Sequence, residues 1–170
     1  MSTVAWDGRT LAADRQRTIG SMKVPCDKLR ENEHIAFAFV GSMAEGISIW
    51  GNLRLWSPAP GSSDGETIDG WQVVNVCEED QVHGIVVEKA TGKAFILTGK
   101  RVVFIPVETL FIALGSGAEF AMASMHHGAS AEQAVETASV YDIYTGMGVV
   151  CCVVDGERQR VDAATHVCPF

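Results

Sequence analysis

The order of elements predicts a mixed α/β (α+β) chain arranged as four layers, an αββα sandwich of two stacked, mainly antiparallel sheets with helices outside. Three observations lead there. Short strand-like runs punctuated by tight turns fill the first forty or so residues, two helical stretches follow the Gly115-Ser116-Gly117 turn, and an apolar strand returns at Gly148 to Asp155. The 170 residues are 47% apolar and 20% charged, which suits one globular domain over 1–170 with a substantial core.

Thr3 to Trp6 and Thr10 to Asp14 read as a hairpin about Asp7-Gly8, a pair suited to a tight turn. Val24 to Arg30 and His34 to Val40 read as two more strands joined by Glu31-Asn32-Glu33. After Gly41, Ser42 to Trp56 is helical in character, with Ile47, Trp50 and the stem of Arg54 on one face. Ser57 to Gly70 is rich in Pro, Gly and Ser and reads as a surface loop. His83 to Lys89 and Lys93 to Leu97 form a second hairpin around Ala90-Thr91-Gly92, with strands near Val102 to Ile105 and Leu110 to Leu114. One helix runs from the Gly-Ser-Gly turn to near Gly128. The next opens with Ser130 and Gln133 at capping-box spacing, and Ala131, Ala134, Val135 and Ala138 give it a narrow stripe for close packing on its predecessor. Gly148 to Asp155 is almost continuously apolar, as a strand covered on both faces would be.

Composition excludes several functions. A net charge of -8 without a basic cluster argues against nucleic acid as a partner. The start lacks a signal pattern and no apolar run reaches membrane-spanning length, so a cytoplasmic protein away from the membrane is expected. The five cysteines are an odd number without CxxC spacing, consistent with free thiols; adjacent Cys151 and Cys152 should point to opposite faces. His126-His127 do not share a helix face, and His166 and Cys168 lack partners nearby in sequence, so neither metal nor cofactor is expected. Trp50, Trp56 and Trp71 read as core or subunit-interface side chains.

Chemistry concentrates at the N-terminus. Ser2 follows the initiator Met1, and excision of a Met before a small residue would leave Ser2 with a hydroxyl and a free α-amine on one residue. A serine hydroxyl needs a base, and an α-amine of pKa about 7.7–8.0 can supply one near neutrality.

Ser2-Thr3-Val4, Ala12-Ala13-Asp14-Arg15, Lys28-Leu29, Val40-Gly41, Gly115-Ser116-Gly117 and the run from Asp142 to Gly146 together resemble the proteasome β-subunit family, most closely its compact bacterial members among the N-terminal-nucleophile hydrolases. The resemblance implies a peptidase with Ser2 as nucleophile and its α-amine as base. Lys28 would stabilise the alkoxide-like transition state, Asp14 would hold Lys28, and the Gly41 N–H would face the oxyanion. Ser116, Asp142 and Thr145 would surround the N-terminal amine. Outside the resemblance, Asp14 and Lys28 also fit an ordinary salt bridge, Gly41 a strand-to-helix turn and Ser116 a helix N-cap. The resemblance further puts Thr18 against the substrate backbone and Arg17, Cys26, Phe39 and Met43 around the pocket for the residue before the scissile bond, a mainly apolar lining.

The implied partners are a peptide or unfolded-protein substrate, further copies of the chain in a ring or related homo-oligomer, and an unfoldase ATPase. Two departures bear on this. The nucleophile is Ser where the family usually has Thr, and the first helix after Gly41 is short, where the family's helices make ring and regulator contacts, so neither ring stoichiometry nor dependence on an unfoldase ATPase carries over from the resemblance. Two other readings remain open on the residues: an amide hydrolase acting on a small molecule, and a non-catalytic assembly protein that kept the fold.

Overall fold

A computed structural model describes residues 2–54, 82–98 and 103–154. The expected Ser57 to Gly70 loop, Trp56, Trp71, Cys77, His166 and Cys168 lie outside the described residues.

The elements follow in chain order as β1 (Thr3–Trp6), β2 (Thr10–Asp14), β3 (Gln16–Ile19), β4 (Met22–Pro25), β5 (Leu29–Glu31), β6 (Ile35–Gly41), α1 (Met43–Leu53), β7 (Val82–Glu88), β8 (Ala94–Thr98), β9 (Val103–Pro106), β10 (Ile112–Gly115), α2 (Ala118–His126), α3 (Ala131–Tyr141) and β11 (Val149–Val153). Among the described residues all strand pairs are antiparallel. One sheet has the order β10-β1-β2-β11, a second β5-β6-β7-β8-β9, and β3-β4 form a separate two-stranded sheet.

Strand alternation builds the layers. Along β6, Ala36, Ala38 and Val40 join Val4, Trp6, Leu11 and Ala13 in the core between the two large sheets. Ile35, Phe37 and Phe39 turn the other way and pack with Ile49 and Leu53 of α1. On the far side, Ala5 and Ala12 meet α2 and α3 through Ala121, Ala131, Ala134, Val135 and Ala138. The expected αββα order is therefore present, and all four residues of the predicted α3 stripe are buried. Their small size lets two helices sit close on one sheet. The predicted capping box of Ser130 and Gln133 is formed.

Both predicted hairpins are present, but four local expectations change. The run from Val24 to Arg30 is two strands, because Cys26-Asp27-Lys28 leaves the β4 line; the Cys26 N–H donates to Arg15 O at 2.7 Å and Lys28 turns inward. β3 extends the path beyond Asp14 as a further strand that the residue pattern does not predict. In α1 the inward face is Gly46, Ile49 and Leu53, with Trp50 half-buried, while Ile47 is exposed. The cause is a tertiary contact: Gly46 packs directly on the Phe39 ring of β6, and a Cβ there would collide with it. Lastly, β11 is not covered on both faces. By the two-residue strand period Cys152 points into the core while Cys151 and Val153 face outward.

Candidate active site

Ser2 precedes β1 and continues the inward row of Val4 and Trp6 by the two-residue strand period, so its side chain falls at the open end of the inter-sheet core. It is 3% exposed. Pairing of β1 with β10 brings Thr3 opposite Gly115, and the Ser116 N–H donates to Ser2 O at 3.0 Å. Gly115 has φ 103°, and a Cβ there would overlap the Ser2 carbonyl, so this approach requires glycine.

Lys28 reaches the same point from the bend between β4 and β5. Its Nζ donates to Ser2 Oγ at 2.5 Å, to Asp14 Oδ1 at 2.8 Å and to the Gln16 carbonyl. Those three acceptors use all three ammonium protons. Asp14 and Lys28 are 0% and 4% exposed at their side chains, which makes this a buried ion pair. Burial pushes the Lys28 pKa down from its ordinary 10.5, and the charge and hydrogen bond of Asp14, which raise it, offset that only in part. Asp14 in turn accepts from the N–H groups of Thr3 and Gln16, each at 2.9 Å, and of Gly146 at 3.3 Å.

A second cluster closes the other side. Asp142 caps the C-terminus of α3, and its Oδ2 accepts from Ser116 Oγ and Thr145 Oγ1, both at 2.6 Å. The Tyr144 N–H donates to Oδ1 at 3.1 Å. Burial alone would raise the Asp142 carboxyl; the hydrogen bonds from Ser116, Thr145 and Tyr144 outweigh it and hold the group below its ordinary 3.8. Ser116 does not cap α2, whose N-cap is Gly117; its hydroxyl is committed to Asp142.

The structure thus gathers Ser2, Asp14, Lys28, Ser116, Asp142 and Thr145 around one strand end. Gly41 closes β6 opposite Val82 with φ 104°, at the entrance to α1. Of the expected pocket residues, Cys26 and Met43 meet through their sulfurs at 3.8 Å. Arg17 and Thr18 are exposed on β3. Phe39 lies inside the α1-side core, stacked on Phe37 with ring centroids 5.5 Å apart. His126 and His127 are exposed at the end of α2, and no cluster of three metal-ligating side chains occurs among the described residues.

Two participants escaped the sequence reading. Thr3 and Gln16 are both buried, and Gln16 supplies the carbonyl under Lys28 while its Nε2 donates to Ile143 O at 2.9 Å. Their available signal was a polar side chain beside a candidate site residue on a strand, which is common and therefore weak.

This architecture, two stacked antiparallel sheets with helices outside, is the fold of the proteasome-type N-terminal-nucleophile hydrolases. Three solved structures illustrate it. BPH of Thiobacillus denitrificans in complex with epoxomicin is similar at TM-score 0.66 and 17% identity, over 89% of this chain and 97% of that one. HslV from Trypanosoma brucei gives TM-score 0.58 and 21% identity over 89% and 97%. The Anbu (Gly-1) mutant from Hyphomicrobium sp. strain MC1 gives 0.66 and 13% over 93% and 86%. No protein-family model and no curated protein matches the chain. No helix among the described residues is long and apolar enough to cross a membrane.

Proposed function

We propose that the chain is a proteasome-like endopeptidase that cleaves peptide bonds with the Ser2 hydroxyl, once Met1 has been removed. The observation that carries this reading is the contact of Lys28 Nζ with Ser2 Oγ inside a buried pair with Asp14. A buried cation held against a hydroxyl oxygen favours the negative charge that develops there on attack.

In this mechanism Ser2 Oγ attacks the scissile carbonyl and its proton passes to the Ser2 α-amine. The Gly41 N–H faces the oxyanion, the α-amine returns the proton to the leaving amine, and water then releases the acyl group and restores the hydroxyl. Ser116, Asp142 and Thr145 hold the amine. Thr18 pairs with the substrate backbone, and Arg17, Cys26 and Met43 shape the pocket for the residue before the cut, while the expected Phe39 is instead buried in the α1-side core. The enzyme works on peptides or unfolded chains inside a homo-oligomeric chamber in the cytoplasm.

Intact mass tests the reading. The protein is weighed for Met1 loss and then exposed to an electrophile that must bond both a hydroxyl and the adjacent α-amine; epoxomicin, present in the T. denitrificans structure, is a second probe. A double adduct that disappears in Ser2→Ala and weakens in Lys28→Ala is expected, together with hydrolysis of apolar peptides. Mature protein that stays inert on varied peptides, with Ser2→Ala no different, would refute it.

A further inference from the structure

Thr3 joins the two halves of the site. Its side chain is fully buried, its N–H donates to Asp14 Oδ1 at 2.9 Å, and its Oγ1 lies 2.6 Å from Thr145 Oγ1. The direction of that last bond follows from counting protons. An ionised carboxylate only accepts, so the single Thr145 hydroxyl proton goes to Asp142 Oδ2. Thr145 must then accept from Thr3, and the chain runs Thr3 Oγ1 to Thr145 Oγ1 to Asp142. Ser116 also spends its proton on Asp142. Both hydroxyl oxygens are left as acceptors, and Thr3 occupies one of the two lone pairs of Thr145. The fold keeps room for this bond: a Cβ on Gly117 would collide with Thr3 Oγ1 and come within 3.1 Å of Thr145 Oγ1.

We infer that Thr3 is a positioning residue: by donating to Thr145 it leaves one acceptor direction, which fixes where the Ser2 α-amine hydrogen-bonds and limits how well the protonated amine is held. This rests on the proposed use of that amine as the base and on the proposed hold of Thr145 on it. Thr3→Val is nearly isosteric and removes the proton donor, whereas Thr3→Ser retains it.

On the full chain with Met1 removed, Thr3→Val should lower kcat about tenfold with KM unchanged, while Thr3→Ser stays within about threefold of the parent. The acid limb of kcat/KM should move to higher pH in Thr3→Val, because the freed Thr145 lone pair favours the ammonium form. A merely structural Thr3 would leave that limb in place. A Thr3→Val enzyme with the parent's kcat and pH profile, or a Thr3→Ser enzyme as impaired as Thr3→Val, overturns the inference. The bond is also tested without activity by urea unfolding of Thr3→Val, Thr145→Val and the double variant. Non-additive changes in the unfolding constant support it, and strict additivity overturns it. An inert parent refutes the peptidase reading and with it the kinetic part of the inference. An active parent with an unaffected Thr3→Val refutes the inference alone.

Discussion

Replacing Asp14 by Asn tests the electrostatic centre of the site at nearly constant volume. The carboxylate accepts from four donors: Lys28 Nζ at 2.8 Å, the Thr3 and Gln16 N–H groups at 2.9 Å, and the Gly146 N–H at 3.3 Å. Oδ1 serves the first two and Oδ2 the others. An amide has one acceptor oxygen, so either orientation turns its NH2 toward donors. One orientation loses Lys28 and Thr3; the other loses Gln16 and Gly146. Both leave the Lys28 ammonium without a buried counter-charge. Breaking one side of a buried ion pair costs about 3–5 kcal/mol, against a total domain stability of about 5–15 kcal/mol.

Urea unfolding at pH 7 measures that loss directly, and pH supplies a second axis. The Lys28 pKa is already depressed below 10.5 in the folded state, and removal of Asp14 removes the interactions that raise it. A lysine with a lower pKa folded than unfolded binds fewer protons folded, so folding becomes more favourable as pH rises through the window between the two values. The gap between Asp14→Asn and the parent should therefore narrow as pH rises from 7 toward the ordinary lysine value of 10.5. Asp14→Asn combined with Lys28→Met should be more stable than Asp14→Asn alone, since no unpaired charge remains. A loss under about 1 kcal/mol, unchanged with pH, is the size expected of an exposed pair and would refute the buried-pair argument.

Two further outcomes follow from other groups. The Asp142 carboxyl is held below 3.8 in the fold, so its contribution is complete above that pH and is lost as pH falls through the lower folded value; Asp142→Asn should flatten the acid limb of stability measured by urea midpoints, and an unchanged limb would count against the hydrogen-bonded arrangement. Burial, the bond to Glu31 and the charge of Glu31 push the Cys152 thiol up to about 11, against a smaller opposing effect of Lys89. At pH about 8 the thiolate fraction is then on the order of one in a thousand. Iodoacetamide with peptide mapping should label exposed Cys151 first and reach Cys152 only after unfolding; equal rates would contradict this placement.

The fold was legible where pattern and turn chemistry agree. Asp7-Gly8 marks its hairpin, and Ser130 with Gln133 marks the start of α3. It was misread where tertiary contact decides between equal local choices. Ile47 and Ile49 are two apolar residues in one helix, and which faces inward depends on Gly46 meeting the Phe39 ring from another element. β11 illustrates the same limit: an apolar run looks like a strand buried on both faces, yet only Cys152 reaches the core while Cys151 and Val153 are exposed. Sequence carries the period but not the neighbour.

For the site, the sequence offered candidate side chains but neither Thr3 and Gln16 nor the backbone groups that bind those candidates together. Lys28 is held by a carbonyl of Gln16, Asp14 by the N–H groups of Thr3, Gln16 and Gly146, and Ser2 by the N–H of Ser116. Every residue offers such groups, so no residue type announces them. Their arrangement follows from the β1–β10 pairing and from the bend that ends β4, both properties of the folded chain. This makes the site unusually dependent on strand register. A slip of one residue in β1 would turn Ser2 away from Lys28 and put Thr3 in its place, reversing the inward row of Val4 and Trp6 as well. The same apolar side chains that hold the two sheets together therefore fix which hydroxyl meets the lysine.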